Sequence, residues 1–228
     1  PDFRNRLGGE GMSGESQADR GLPGLVFPEE ALKRQAEELA EEYSGVFSPE
    51  TVARYVLDSY TALLRTAKFK AHLVTLTGRF VKERLNALAQ VQNPALSDKP
   101  EVLFVCVENA GRSQMAMALL NRVAEGAIHV RSAGSAPAGA ISDAVVTVME
   151  EVGLDVSEQF PKPLTDDVVQ AADVVVTMGC GDACPVYPGK RYLDWDLPDP
   201  SLLDIDGIRA VRDRIEQLVT ELATELTP

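Results

Sequence analysis

Residues 102–115 read VLFVCVENAGRSQM, and this stretch decides the fold. Its first four residues form a continuous apolar run, which is typical of a β-strand buried on both faces. A short loop that ends in Gly111 and Arg112 follows, and a helical pattern begins at Ser113 and continues to residue 124. A buried strand that leads through a short loop into a helix is the repeating unit of a parallel α/β sheet.

The sequence after residue 124 continues this alternation of strand and helix. Strand patterns at 127–131 and 173–178 alternate with helical patterns at 141–152 and 165–172. A last amphipathic helix contains a regular apolar stripe, formed by Ile208, Val211, Ile215, Leu218 and Leu222. The predicted fold class is therefore α/β, with a mainly parallel sheet covered by helices and a ligand site at the carboxyl ends of its strands.

Three amphipathic helical patterns precede the α/β region. The first has apolar residues at steps of three and four from Leu32 to Tyr43, and the second begins with the helix-starting residues Ser48 and Pro49. The third covers residues 71–90. Three helices that each have one apolar stripe predict a small all-α three-helix bundle.

Changes in composition suggest the limits of these parts. The bundle is predicted at 28–92, a proline-containing linker at 93–100, and the α/β domain at 101–228. The glycine-rich residues 1–27 are expected to form a flexible N-terminal arm. The loop with Cys106 therefore belongs to the second of two predicted folded parts.

The composition excludes several classes of protein. The chain has 22 Lys and Arg against 35 Asp and Glu, and its formal charge of −13 argues against nucleic acid as a ligand. No apolar run reaches the roughly 18 to 20 residues that cross a bilayer, and no signal peptide pattern is present, so we expect a cytoplasmic protein without membrane association. Three cysteines fit a disulfide framework poorly and favour free thiols.

The loop after the first strand has the spacing of an oxyanion site with a nucleophile at its base. Five residues separate Cys106 from Arg112, and Ser113 follows directly. Loop N–H groups and the positive end of the helix can converge on one anion, while Arg112 can bind two of its oxygens. The same positive field stabilises a Cys106 thiolate, and Ser113 can donate a hydrogen bond to its sulfur. The predicted oxyanion-binding residues are Val107, Glu108, Asn109, Ala110, Gly111 and Arg112.

A nucleophile of this kind requires an acid that gives a proton to the departing oxygen. The segment LDWDLPDP at 193–200 contains three aspartates. Asp199 is the preferred candidate, because the proline after it holds its backbone in an extended conformation. An ordinary turn aspartate is the alternative interpretation of this position.

These features resemble the low-molecular-weight tyrosine phosphatase fold from Val102 onward. The resemblance implies a parallel four-stranded sheet with flanking helices, and the fold has two enzyme branches, phosphatases and arsenate reductases. After Arg-Ser the phosphatases usually continue with proline, whereas this chain continues with Gln-Met-Ala at 114–116, as the arsenate reductases do. Ser-Ala-Gly at 132–134 and Val-Val-Thr-Met at 175–178 also resemble the reductases.

Cys180 and Cys184 follow the strand pattern at 173–178, which places them near the same end of the sheet as Cys106. A zinc site needs about four ligands, and the chain has only two histidines, so zinc is disfavoured. Inert loop cysteines and a redox pair are the remaining interpretations. The resemblance implies the redox pair: Cys180 attacks Cys106, and Cys184 resolves that disulfide. The order of the two stays open, because the family's cysteines usually lie further apart.

The resemblance implies an arsenate reductase of the three-cysteine, thioredoxin-coupled type, with no metal or other cofactor. Actinobacterial relatives with a similar N-terminal helical domain use either thioredoxin or mycothiol with mycoredoxin, so both are candidate reductants. Some relatives bind potassium through a glutamate at the position of Met117, and no potassium requirement is expected here.

Two other functions are compatible with these residues. A low-molecular-weight protein tyrosine phosphatase is the alternative enzyme, and an As(III)-binding regulatory protein is the alternative without catalysis. We also expect a homodimer or a docking role for the helical bundle, because a small bundle often leaves an apolar seam to bury.

Overall fold

The computed structural model describes residues 28–67, 72–179 and 184–227. The described strands are β1 (Glu101–Cys106), β2 (His129–Gly134), β3 (Val174–Met178) and β4 (Arg191–Asp194). They form one sheet in the order β2-β1-β3-β4, and all three neighbouring pairs are parallel. This arrangement confirms the expected α/β class with a four-stranded parallel sheet.

Helices precede the sheet and cover it. The N-terminal helices are α1 (Glu29–Glu42), α2 (Pro49–Leu64) and α3 (Leu73–Gln92). Those of the α/β part are α4 (Arg112–Ala124), α5 (Asp143–Glu150), α6 (Asp166–Ala171) and α7 (Ile205–Leu226). Short 3-10 helices span Pro94–Leu96 and Pro200–Leu202. Every helix in the described ranges is too short or too polar to traverse a bilayer.

The second and fourth strands differ most from the sequence-based expectation. β2 begins at His129 and extends to Gly134, whereas the pattern placed it at 127–131. The sequence pattern did not locate β4, which has four residues and pairs with β3 at the sheet edge. Its side chains are half-buried or exposed, so it lacks the continuous apolar run that identified β1.

Alternating side chains along β1 divide the core of the α/β domain into two layers. Phe104 and Cys106 pack on the face covered by α4, α5 and α7. Leu103 and Val105 pack on the opposite face, together with residues of α6 and with Ala87 of α3. Cys106 therefore lies at the carboxyl end of the sheet, on the α4 side.

The helices α1, α2 and α3 pack around their own apolar core, which confirms the three-helix bundle before the sheet. Ser48 accepts a hydrogen bond from the backbone N–H of Thr51, and Pro49 occupies the first turn of α2, as the sequence indicated. The buried core includes Leu39, Val52, Val56, Phe80 and Leu85. The limits of the bundle, linker and α/β domain stay predictions, and the arm at 1–27 lies outside the described residues.

Helix α3 contacts both parts of the molecule. Phe160 of the α/β domain packs into the core of the bundle, and Ala87 of α3 packs beneath the sheet. Arg84 of α3 donates from Nε and Nη2 to the Asp167 carboxylate of α6 at 3.2 Å, and only 11% and 8% of the two side chains is exposed. Arg84 also donates to Ser59 Oγ at 2.9 Å. A buried ion pair thus fixes the bundle to the α/β domain.

The variant Asp167→Ala is expected to lower the free energy of unfolding by about 3–5 kcal/mol, because it leaves the buried Arg84 guanidinium without its partner. Urea unfolding measures this loss. The matched control is Glu225→Ala, which removes a pair with Arg191 whose side chains are about half exposed, and it should cost less than about 1 kcal/mol. Equal losses in the two variants would contradict a structural role for the buried pair.

Candidate active site

Cys106 is the last residue of β1 and is almost completely buried. The chain then turns so that the backbone N–H of Asn109 donates to Cys106 Sγ at 3.2 Å. Ser113 Oγ lies 2.9 Å from the same sulfur, in the first turn of α4. The sulfur therefore receives a hydrogen bond from the loop and lies beside a hydroxyl at the positive end of a helix.

The carbonyl groups of the loop point away from the sulfur. Ala136 and Ala138 donate their N–H groups to the carbonyl oxygens of Val107 and Glu108, each at 2.8 Å. Across a planar trans peptide, a carbonyl and the next N–H point in opposite directions. Holding these carbonyls outward consequently turns the following N–H groups inward, as the contact between Asn109 and Cys106 shows.

Gly134 allows this anchoring because β2 ends very close to the loop. A Cβ atom built on Gly134 would lie 2.7 Å from the carbonyl oxygen of Val107 and 3.0 Å from the backbone nitrogen of Asn109. Both neighbours are backbone atoms, which cannot move aside as a flexible side chain could. The Ser-Ala-Gly motif at 132–134 thus has a steric reason for its glycine.

Asn109 holds the loop from inside. It is fully buried and has a φ of 50°, in the left-handed region that asparagine tolerates better than most residues. Its Oδ1 accepts hydrogen bonds from the backbone N–H of Lys162 at 2.8 Å and from Gln114 Nε2 at 3.0 Å. Its Nδ2 donates to Ser113 Oγ at 2.8 Å.

These contacts fix the direction of the Ser113 proton. A backbone N–H can only donate, so the contact with Lys162 identifies which end of the Asn109 amide is the oxygen. The Asn109 NH₂ group must then donate to Ser113 Oγ, which leaves the hydroxyl proton free to point at Cys106 Sγ. This is the arrangement that stabilises a sulfur anion, whether it attacks or leaves.

Arg112 links the loop to the segment that contains the candidate acid. Its guanidinium is mostly buried and donates from Nη1 to the carbonyl oxygen of Leu197 at 3.1 Å. Nη2 donates to Asp199 Oδ2 at 2.9 Å. The other oxygen of Asp199 accepts from the backbone N–H and the hydroxyl of Ser201, at 2.9 and 2.8 Å. Asp199 is thereby held at the mouth of the loop.

The protonation of Asp199 depends on these neighbours. Partial burial raises the pKa of the Asp199 carboxyl, but the two hydrogen bonds from Ser201 and the charge of Arg112 lower it, and the net pKa is below the usual aspartate value. The carboxyl is consequently ionised in the free protein at neutral pH. An acid role for Asp199 requires that bound substrate change this state.

A cavity of about 40 Å³ lies between the loop and the Asp199 segment. Its lining residues are Cys106, Glu108, Ala110, Gly111, Arg112, Ser142, Val145, Asp199, Pro200 and Ser201. This lining contains no aromatic side chain, and Pro200 packs against Gly111 at its entrance. The size and the lining suit a small oxyanion better than the aromatic ring of a phosphotyrosine.

The residues that the resemblance associates with potassium binding are Asn109 and, in place of a glutamate, Met117. Both hydrogen bonds accepted by Asn109 Oδ1 come from protein donors. Met117 is buried in the apolar cluster around α4 and offers no oxygen. Among the residues that the structure describes, no three His, Cys, Asp or Glu side chains are grouped in a way that could hold a metal ion.

Cys184 is placed differently from Cys106. Cys184 is buried on the opposite face of the sheet from Cys106, in the apolar cluster that includes Val105 and Val175. Cys180 lies outside the described residues. The structure therefore brings together Cys106, Arg112, Ser113 and Asp199, and it does not bring Cys184 to them.

The sequence patterns missed several residues of the site. Ser142, Val145 and Ser201 line the cavity, but they lie in segments whose sequence suggested only helix or loop. Lys162 contacts Asn109 through its backbone, a role that does not depend on its side chain and leaves no motif. Gln114 was noticed only as part of the motif after Arg-Ser, and its contact with Asn109 supplies the physical reason for that motif.

Comparisons with known proteins agree with this geometry. A solved structure of the thioredoxin-dependent arsenate reductase of Corynebacterium glutamicum is 48% identical and matches with a TM-score of 0.77, over 86% of this chain and 96% of that one. Arsenate reductase 1 of Staphylococcus epidermidis is 33% identical over 129 residues, 55% of this chain and 96% of its own length. The glutaredoxin arsenate reductase of a Synechocystis species is 32% identical over 130 residues, 56% and 98% of the two chains.

Two family descriptions match the two folded parts. Residues 32–89 match the description "Protein-tyrosine-phosphatase-like, N-terminal domain". Residues 101–228, more than half of the chain, match "Low molecular weight phosphotyrosine protein phosphatase". With a nucleophile loop, a parallel sheet and a sequence match that agree, the chain belongs to the low-molecular-weight phosphotyrosine protein phosphatase family.

Proposed function

We propose that the protein is an arsenate reductase that uses thioredoxin as its reductant. The observation that carries this proposal is the cavity of about 40 Å³ around Cys106, Arg112 and Asp199, which has the groups for attack on a small oxyanion and no aromatic wall. The arsenate reductases among the relatives, including a thioredoxin-dependent one, support the same assignment. The alternative reductant is mycothiol with mycoredoxin.

The first step is attack by Cys106 on arsenic. Arsenate binds to the loop amides and Arg112, and Cys106 Sγ forms an As–S bond while one As–O bond breaks. Asp199 gives a proton to the departing hydroxyl, which leaves as water. Ser113 stabilises the sulfur anion before the attack.

Arg112 couples substrate binding to the protonation of Asp199. In the free protein its Nη2 binds the Asp199 carboxylate, and its charge is one of the causes that lower the pKa of that group. Arsenate oxygens that draw Arg112 away remove this cause, and the negative charge of arsenate adds a second effect in the same direction. Both favour a protonated Asp199 at the moment when an acid is required.

The second step reduces arsenic through a thiol relay. The Cys180 thiolate attacks Cys106 Sγ, an S–S bond forms as the As–S bond breaks, and the electron pair of the broken bond stays on arsenic. As(V) becomes As(III), and arsenite leaves. Cys184 then attacks Cys180 and releases Cys106 as a thiolate, and the dithiol of thioredoxin reduces the Cys180–Cys184 disulfide.

The position of Cys184 adds a condition to this relay. Its side chain is 8% exposed and packs below the sheet with Val168 and Val175. Its sulfur must become accessible before thioredoxin can attack it. The relay thus requires local unpacking at Cys184, which exposes the apolar residues around it.

Homodimerisation through the helical bundle stays the prediction for quaternary structure. Leu57 of α2 is half exposed and lines an apolar groove of about 600 Å³ between α1 and α2. Such a groove is compatible with a second copy.

Arsenate should stimulate NADPH oxidation by the protein in the presence of thioredoxin and thioredoxin reductase, and a folded Cys106→Ser variant should show only the background rate. The substitution removes the nucleophile and keeps the size of the side chain, so circular dichroism should be unchanged. Absence of arsenate turnover together with rapid hydrolysis of an aryl phosphate would instead identify a phosphatase. Turnover only with mycothiol and mycoredoxin would change the reductant and keep the reductase.

Cys180→Ser and Cys184→Ser should each prevent repeated turnover with thioredoxin but leave any slow hydrolysis of an aryl phosphate unchanged, because hydrolysis needs only Cys106 and its loop. Steady-state NADPH oxidation and hydrolysis of para-nitrophenyl phosphate measure the two activities. Full turnover in both variants would show that the distal thiols do not take part.

Ser201→Ala should move the alkaline limb of the pH profile of kcat to higher pH, since kcat reports the pKa values of the substrate complex in which Asp199 holds its proton. The variant removes a hydrogen bond that lowers the pKa of Asp199, so the group keeps its catalytic proton to higher pH. Ser201→Thr retains a hydroxyl and is the matched control, with a limb close to that of the wild type.

Asp199→Asn completes this test, since it should lower kcat by about 10²- to 10⁴-fold, the usual contribution of a general acid. An alkaline limb that stays in place in Ser201→Ala would mean that another group is the acid.

A further inference from the structure

Lys162 is a buried cation whose partner comes from the helical bundle. Its side chain is 3% exposed, and Nζ lies 3.0 and 2.9 Å from the two carboxylate oxygens of Glu83 in α3. A buried ammonium is stable only when a counter-charge and hydrogen bonds compensate for its loss of water. Glu83 is the carboxylate that provides both here.

The backbone of the same residue is part of the active-site framework. The N–H of Lys162 donates to Asn109 Oδ1, and its carbonyl accepts from the N–H of Gly134 at 2.8 Å. Leu164 returns a hydrogen bond to the carbonyl of Gly134 at 2.9 Å. The backbone of Lys162 therefore connects the end of β2 to the loop after Cys106, and its side chain contacts the bundle.

A continuous set of contacts leads from the bundle to the nucleophile. Glu83 binds the Lys162 ammonium, the Lys162 amide orients Asn109, and Asn109 orients Ser113. Ser113 then directs its hydroxyl at Cys106 Sγ. Each link is a hydrogen bond of 3.0 Å or less between groups that are buried or partly buried.

We propose that Glu83 is a positioning residue of the active site and that the helical bundle sets the reactivity of Cys106 through the Glu83–Lys162 pair. Glu83 touches neither substrate nor sulfur. Its effect is to keep Lys162 buried, and thereby to keep the Lys162 amide on Asn109. This inference rests on the proposed nucleophilic role of Cys106 and is independent of which oxyanion the loop binds.

The charge of Lys162 explains why the bundle is needed at this point. Without Glu83, the ammonium is buried beside Phe160 with no carboxylate in hydrogen-bond contact, and it gains by moving toward water. Movement of this side chain displaces the backbone of Lys162. This backbone is hydrogen-bonded to both Gly134 and Asn109, so a displacement disturbs those two contacts. Removing the charge of Lys162 removes the reason for that movement.

The test is the alkylation rate of Cys106 by iodoacetamide, followed by mass spectrometry of the peptide that contains it in the full-length protein. Glu83→Gln is expected to slow alkylation on the order of tenfold or more, since small displacements of a reactive group have effects of this size. Lys162→Met lacks the charge but keeps the backbone contact with Asn109. The double variant Glu83→Gln, Lys162→Met is therefore expected to recover most of the rate lost in Glu83→Gln.

Glu42→Gln is the matched control. It breaks the ion pair between Lys82 and Glu42, which also joins α3 to a neighbouring element but is half exposed, and its alkylation rate should equal that of the wild type. A merely structural role of Glu83 predicts additive losses in the double variant, because a second core substitution would not restore the first. Unchanged or faster alkylation in Glu83→Gln, or no recovery in the double variant, would overturn the proposal.

The outcome is separable from that of the proposed function. A wild-type protein that does not reduce arsenate, while its variants show the expected slowing and recovery of alkylation, would refute the reductase assignment and support the positioning role of Glu83. Normal arsenate reduction by the wild type, with alkylation unchanged in Glu83→Gln, would support the reductase assignment and refute the positioning role of Glu83.

Discussion

The buried amide of Asn109 is the interaction on which the active site depends. The side-chain amide accepts hydrogen bonds from Lys162 and Gln114 and donates one to Ser113. The backbone of Asn109 has a conformation that directs its own N–H at Cys106 Sγ. Leaving a buried amide donor or acceptor without a hydrogen bond costs free energy, because the group has lost its contact with water and gains no partner in return. The recorded contacts, two accepted by Oδ1 and one donated by Nδ2, define the orientation of the amide beside the sulfur. These contacts hold the loop in a defined shape around Cys106.

The chain has a formal charge of −13, so the attraction of an oxyanion to the site must come from groups close to the cavity. The cavity itself has the carboxylates of Glu108 and Asp199 in its lining, and Arg112 is the guanidinium beside them. An oxyanion must therefore compete with Asp199 for Arg112, and inward N–H groups must supply the remaining attraction. In the proposed mechanism this competition has a use, because the group that loses Arg112 is Asp199, the proposed acid.

The sequence predicted the parts of the molecule in which local pattern and function coincide. β1 was recognised because both of its faces are buried, and Cys106, Arg112 and Ser113 follow from the loop that leaves it. Asp199 was found through the proline after it, and the structure places its carboxylate 2.9 Å from Arg112. These residues are near one another in sequence or follow a strand end, and sequence patterns report such proximity well.

Contacts between distant segments left no comparable pattern. The pairs of Arg84 with Asp167 and of Glu83 with Lys162 join residues 83 and 79 positions apart, and neither has a spacing that suggests a pair. β4 has four residues at a sheet edge and lacks an apolar run. Cys184 was expected near the end of the sheet that holds Cys106, and its side chain is buried in the core layer on the other face. In each of these cases tertiary packing decides the position of the residue, and local pattern does not.

The location of Cys184 constrains how electrons can leave the site. Cys106 belongs to the layer of the core under α4, whereas Cys184 belongs to the layer on the other side of β1 and β3. A disulfide requires its sulfur atoms about 2.05 Å apart, so a Cys184 thiol in the second layer cannot bond to Cys106 directly while it stays there. In the proposed relay, attack of a protein dithiol on Cys184 would require that Cys184 and part of its apolar surroundings become exposed, among them Tyr187 and Tyr192. Such an apolar surface would be available for recognition by a reducing partner. The packing of Cys184 thus makes access for that partner depend on a local change of conformation.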